Sequence, residues 1–390
     1  MRGWALLADV VPLYPLYALL FADTGLSDAE ISALFALWSV TGIVAEVPTG
    51  ALADRFSRRT ALVLGGVGQA AGYVCWTAWP GFAAFAAGFV LWGLGGTLVS
   101  GAKEALLYDG LAAAGAAGHF TRVYGQVSAL ELIAQVPAAA AAAALFAAGG
   151  FPLVGWASVG TCLAAACVAA SLPEPPRPST ADDDHDDADD GGAGYWATLR
   201  AGVAEALRRP GVRGTVLAVA LLTSLDDIEE YFPLLARDWH VPVTWTPVAI
   251  VGIPLAGAAG AALAGRWPRP RPGTLLLALL AAVVALGLPG LFAHPAGLAG
   301  VAVFYALYRA VLVIGTARLQ ERIDSTARAT VSSVAGLGTD LAGLLMFGAW
   351  AVAGLAGVLV LALLVAVALP FGLRQAPEEG PARRVTREVA

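Results

Sequence analysis

Long apolar runs alternate with short polar connections along the whole chain. A hydrocarbon core of roughly 30 Å is crossed by about 20 apolar residues in a helix. Runs of that length fall at 3–22, 30–52, 60–79, 81–102, 122–147 and 151–172. A second set falls at 212–234, 245–265, 273–292, 296–317, 329–350 and 353–373. The pattern predicts an all-α membrane protein of twelve transmembrane helices, six on each side of a polar insert. Several connections are no more than a turn, such as Trp79-Pro80-Gly81, Gly149-Gly150 and His294-Pro295. No small-residue cleavage site separates the first run from the second, so the first run reads as a helix and not as a removed signal.

The two sets are related. Gly50-Ala-Leu-Ala-Asp54-Arg55-Phe-Ser57-Arg58-Arg59 follows the second run, and Ala261-Ala-Leu-Ala-Gly265-Arg266-Trp-Pro-Arg269 follows the eighth. An offset of 211 brings Arg55 onto Arg266 and Arg58 onto Arg269, and carries spans 1, 3 and 5 onto spans 7, 9 and 11. Repeated six-helix halves are a plan of secondary transporters, with the binding site near the midplane at the repeat interface. The expected division is therefore a bundle at 1–172, a linker at 173–211, a second bundle at 212–373 and a tail at 374–390. The linker starts as a stiff Pro-rich stretch. Its Asp-rich run at 182–190 is too charged to pack and reads as a disordered, solvated linker rather than a metal site. Trp196, Leu199, Val203 and Leu207 then recur at helical spacing among arginines, the pattern of an amphipathic helix on a membrane surface.

Composition agrees. Hydrophobic residues make up 58% of the chain, charged residues 13%, and mean hydropathy is +0.72. A soluble domain is about a quarter charged, and a globule this poor in charge would expose large apolar patches. The net charge of −6 reflects the seven aspartates at 182–190 and carries no message about a nucleic-acid partner. Cys75, Cys162 and Cys167 all lie inside apolar runs, with no metal or disulfide spacing. The four histidines lie in or beside connections. No nucleophile–base pair, phosphate loop or metal cluster suggests an enzyme. Gly65-Gly66-Val-Gly68 sits in an apolar span and reads as helix packing.

Basic residues give an orientation, since short cytoplasmic loops collect Lys and Arg. With the N-terminus inside, 21 of the 23 Lys and Arg residues fall on the cytoplasmic side. Arg237, outside, and Arg309, within the tenth span, are the exceptions. This predicts a multi-pass protein of the plasma membrane with both termini in the cytoplasm.

The Gly50–Arg59 loop resembles the signature loop between helices 2 and 3 of the major facilitator superfamily of transporters. Gly50, Leu52, Ala53, Asp54, Arg55, Arg58 and Arg59 match that pattern, and Ser57 replaces its second Gly. The resemblance implies the fold of two pseudo-symmetric six-helix bundles. It also implies a cytoplasmic gate latch, in which Asp54 and the arginines hold the two halves together in one conformation and release them in the other. The alternative is that the arginines only set topology. Glu104 and Asp109, with Lys103 and Tyr108, end the fourth span; they form either a closing network at the same gate or a solvated helix end.

Ionisable groups inside spans are costly and point to function. Asp9, Glu46, Glu131, Asp340 and Arg309 qualify by depth. Asp9 stands beside Pro12 and Pro15, which loosen the helix toward a cavity. The family resemblance places spans 1, 4, 7 and 10 around the central cavity, which admits Asp9 and Arg309. For each group the alternative is a structural interhelical pair. In span 7, Asp226, Asp227 and Glu230 are further candidates, with Glu229 in the same run. On an α-helix Asp226 and Glu230 stand one turn apart, and their like charges favour uptake of a proton. A wet outer interface is the other reading of this run.

Two features depart from proton-coupled relatives. The fourth span, 82–101, carries no charge, and the fifth span has Val136-Pro137 followed by alanines where antiporters carry Gly-Pro and paired glycines. The expected activity is still alternating-access transport of a small organic solute, as proton-coupled export. Proton-coupled uptake of a nutrient is the alternative, and a receptor or scaffold that moves nothing is the reading from another class. Tyr14, Tyr17, Tyr231, Tyr305 and Tyr308 beside acids suit a cationic or amphipathic substrate. The expected partners are that substrate, protons and the lipid bilayer; the expected state is a monomer without cofactor or metal.

Overall fold

A computed structural model describes residues 1–55, 57–173, 210–267, 270–322 and 328–373. The described residues form helices and no strands. Helix α1 (Arg2–Asp9) passes through a 3-10 turn at Tyr14–Leu16 into α2 (Tyr17–Asp23). Then come α3 (Asp28–Arg55), α4 (Arg58–Ala78), α5 (Phe82–Ala113) and α6 (Phe120–Ala170). The second half opens with α7 (Pro210–Thr223), a 3-10 stretch at Ser224–Tyr231 and α8 (Phe232–Asp238). It continues with α9 (Thr246–Ile250), α10 (Gly252–Ala264), α11 (Pro272–Gly290), α12 (Leu298–Arg322) and α13 (Arg328–Leu373). The acidic run, the surface helix expected near 196–207 and the tail lie outside the described residues.

Among the described residues, nine helical segments are long and apolar enough to cross a membrane. Two of them are double: α6 bends at Gly149–Gly150 and α13 at Ala353–Gly354. With the interrupted segment 210–238, the count is consistent with twelve spans. Gly150 (φ +62°) and Gly354 (φ +54°) occupy the left-handed region, open to a residue without Cβ. Each reverses the chain between the fifth and sixth spans of its half.

The repeat also appears in the first span of each half. Both are broken by a 3-10 segment ahead of a seven-residue helix, α2 or α8. In the first, Pro12 and Pro15 remove backbone donors. In the second, Ser224, Asp226 and Asp227 are weak helix formers, and Pro233 cannot bond the Glu229 carbonyl. The fourth span runs eleven residues past its expected end at 102, so Lys103, Glu104, Tyr108 and Asp109 stand on a continuous helix, α5.

Small residues let helices approach within each half. A Cβ on Gly65 of α4 would lie 2.7 Å from the Gly95 carbonyl oxygen of α5. This agrees with the packing role expected of the Gly65-Gly66-Val-Gly68 run. The outer surface stays apolar: Leu291 and Phe292 are 77% exposed and Val352 88%, as suits side chains facing lipid.

The halves meet tightly at the end opposite the Arg58 loop. Phe35 of α3 stands edge-on to Tyr231 at 5.3 Å and 5.8 Å from Phe347 of α13. Tyr231 stacks on Trp350 at 4.2 Å. All four rings are buried. Ser32 Oγ lies 2.8 Å from the Tyr231 hydroxyl, a polar bond across the same seam.

Candidate functional site

Between the halves lies a cavity of about 690 Å³, counting its open mouth. One wall comes from Asp9, Tyr14 and Tyr17 with Gln135, Ala138 and Ala139 of α6. The other comes from Glu229, Glu230, Phe232 and Pro233, with Pro247, Ile250 and Pro254 of α9 and α10. These are the places where helices break in both halves. Irregular backbone at membrane depth is tolerated where it lines a cavity, because the freed peptide groups meet water or polar side chains.

The acidic run of the seventh span is arranged differently from the α-helical expectation. A 3-10 helix has three residues per turn, so Asp226 shares a face with Glu229 and not with Glu230. The expected Asp226–Glu230 pair is thereby replaced. Tyr305 donates its hydroxyl to Asp226 Oδ1 at 2.7 Å and lies 3.3 Å from Glu229 Oε2. Arg309 Nη1 reaches Asp226 Oδ2 at 2.7 Å. Its guanidinium sits 6.0 Å from the Tyr305 ring centroid. Arg309, Asp226 and Tyr305 stand outside the cavity wall and connect to it through the Tyr305–Glu229 bond, and the lining itself comes from spans 1, 5, 7 and 8 instead of the expected 1, 4, 7 and 10.

Glu230 turns the other way. It is buried and accepts a hydrogen bond from the Tyr17 hydroxyl, across the two halves. Asp227 faces α13, where a Cβ on Gly343 would come within 2.3 Å of its Oδ2. Asp227 is close enough to Asp340 for their charges to interact, and Asp340 likewise to Glu46 of α3. Glu229 belongs to the acidic run that the sequence names, but the α-helical reading pairs Asp226 with Glu230 and not with Glu229. Pro233, four positions later, is the signal that points to it, since it predicts a break in α-helical spacing.

In the first half, Asp9 is exposed to the cavity. Behind it, Lys103 Nζ of α5 bonds Glu131 Oε1 of α6 at 2.8 Å. Both charges are close enough to act on Asp9. Two coupling candidates thus converge, and the Lys103 charge acts on both.

The side chains of Gly50, Asp54 and Arg55 lie outside the described residues. Arg58 forms an ion pair with Asp109 and donates to the Ala105 carbonyl at 3.1 Å. Both partners are on α5, so these contacts join α4 to α5 within one half, whereas the latch reading expects a link between halves. Tyr124 donates to Glu104 at 2.7 Å, again within that half, and Arg59 is exposed. Ser57 has a role of its own: its Oγ accepts from Thr60 N at 3.1 Å, capping α4.

A family model described as Major Facilitator Superfamily matches residues 5–347. No curated protein matches the chain. Among solved structures, a point mutant of the nucleoside transporter NupG is similar with a TM-score of 0.71 at 12% identity, covering 95% of this chain and 98% of that one. A bacterial homolog of the human lysosomal transporter Spinster, in an inward-facing and unoccupied conformation, has a TM-score of 0.66 at 17% identity, covering 95% and 93%. Its inward-facing and occupied form has 0.64 at 17%, covering 95% and 90%.

Proposed function

The chain belongs to the Major Facilitator Superfamily, and from that membership we propose that it exports a small cationic or amphipathic organic solute in exchange for protons. The observation that carries this reading is the acid-rich cavity between the halves. Asp9, Tyr14 and Tyr17 stand on one wall and Glu229 and Glu230 on the other. A mostly apolar cleft with a few converging polar groups is the usual form of a small-molecule site. Carboxylates and ring faces together favour a cation.

In this reading the bodies that rock are 1–172 and 212–373. The seam of Phe35, Tyr231, Phe347 and Trp350 closes one end of the passage. The excess of Arg and Lys at the other end supports a plasma-membrane protein with cytoplasmic termini, which makes this the inward-facing state. The pair of Arg58 and Asp109, held within one half here, is available to contact the other half when that end closes. Asp340 of α13 is close enough to Glu46 of α3 for their like charges to interact across the halves.

The test is transport in proteoliposomes holding the full chain, with ethidium as the cationic probe and a pH gradient as the driving force. Ethidium should accumulate on the side more acidic than the other, and Asp9→Asn should abolish that accumulation. Movement of neutral or anionic solutes alone would overturn the substrate class. Accumulation that ignores the pH gradient would overturn the coupling.

A further inference from the structure

Behind the central cavity lies a second chamber, of about 620 Å³ counting its open mouth, inside the first half. Its walls include Trp4, Leu62, Gln69, Lys103, Glu131 and Cys162. Among the described residues, Asp9 alone lines both this chamber and the central cavity. The chamber runs from Asp9 toward the end of the bundle that carries the Arg58 loop, where Trp4 and Leu62 lie. We propose that protons leave Asp9 for the cytoplasmic end through this side chamber, separately from the passage taken by the solute.

Three observations support the proposal. First, the chamber wall is polar where an ordinary bundle core would be sealed with apolar side chains: Gln69, Lys103 and Glu131 all face it. Buried polar groups of this kind hold water, and water relays protons. Second, the groups facing Asp9 come from every helix around it. They are Lys103 of α5, Glu131 and Cys162 of α6, and Gln69 and Tyr73 of α4. Lys103 is the one cation in that set. It bonds Glu131 at 2.8 Å, so it is held as a counter-charge that a deprotonated Asp9 can share and a protonated Asp9 gives back. Third, the central cavity does not include Lys103 or Glu131 in its wall, so solute in that cavity does not touch the pair. The cycle balances: when the central cavity faces outward, a proton from its water adds to an Asp9 carboxylate oxygen, and later leaves through chamber water to the cytoplasmic end.

This inference rests on the proton-coupled reading above, and one set of vesicles separates the two. Proteoliposomes carrying the full chain are assayed for ethidium counterflow without a pH gradient, which needs only the solute passage. They are also assayed for ethidium accumulation driven by a pH gradient, with a pH dye inside. Gln69→Phe fills the chamber, and Lys103→Met removes its cation. Each should lower gradient-driven accumulation by about five- to 150-fold, the range of a typical coupling between sites, while counterflow stays at the wild-type rate. Ala138→Trp, in the central cavity, should lower both. If wild-type vesicles ignore the gradient, the proton-coupled reading fails. If they respond and both chamber variants still couple, or lose counterflow in step with coupling, the chamber is packing alone and the inference is overturned.

Discussion

Tyr17 donates its phenolic hydroxyl to Glu230, and this bond ties the interrupted first span of one half to the interrupted first span of the other. Both residues are buried, at 5% and 7% exposure, beside the ring seam that closes the same end of the molecule. The bond exists only while the halves are together there. A hydrogen bond of this kind contributes about 0.5–1.5 kcal/mol net, more when one partner is charged.

Tyr17→Phe keeps the ring and removes the bond, so it should shift the equilibrium toward opening at this end. Labelling of an Ala22→Cys reporter, in a chain whose three cysteines are replaced, should speed up roughly two- to tenfold, following the free energy of one such bond. An unchanged labelling rate would mean that the ring seam alone holds the end shut.

Arg309 and Asp226 should behave as a pair. Both side chains are about a third exposed, at 34% and 30%, so solvent softens the loss. Removing either partner should cost at most about 1.5–3 kcal/mol, the range for a hydrogen bond to a charged group. The double variant Arg309→Gln/Asp226→Asn should recover most of that stability, because no lone charge is left behind. Thermal unfolding in detergent measures this directly. Additive losses in the double variant would show that the two side chains act independently.

Close packing of α10 on α12 depends on Gly260. A Cβ there would lie 2.0 Å from the Ala306 carbonyl oxygen, a backbone atom that cannot rotate away. Gly260→Ala should destabilise by about 1–3 kcal/mol, the usual cost of overpacking. Gly252→Ala, with nothing within 4 Å, serves as the control and should leave the melting temperature nearly unchanged.

The hairpin glycines make a sharper test of the repeat. Gly150→Ala and Gly354→Ala each force a Cβ into a positive-φ conformation that essentially only glycine adopts, at roughly 1–3 kcal/mol. Neither meets a side chain or backbone closer than 3.8 Å, so the penalty is conformational and should be similar in both halves. Unequal losses in melting temperature would indicate that the two turns are not equivalent.

Apolar run length and turn residues are enough to read the spans, because a bilayer imposes one length scale on every crossing. The duplicated loop and the buried carboxylates are legible for the same reason: charge is so rare in these runs that each instance stands out. The grouping of those charges is not legible. Asp226 joins Glu229 and leaves Glu230 because the local helix is 3-10, a choice made by Pro233 and by packing against Tyr305 and Tyr17. Arg58 meets Asp109 because α5 continues past its expected end. Asp9 acquires two faces, one to each chamber, only once α4, α5 and α6 close around it. Hydrophobicity is a property each segment carries alone, whereas the company a charge keeps depends on helices far apart along the chain.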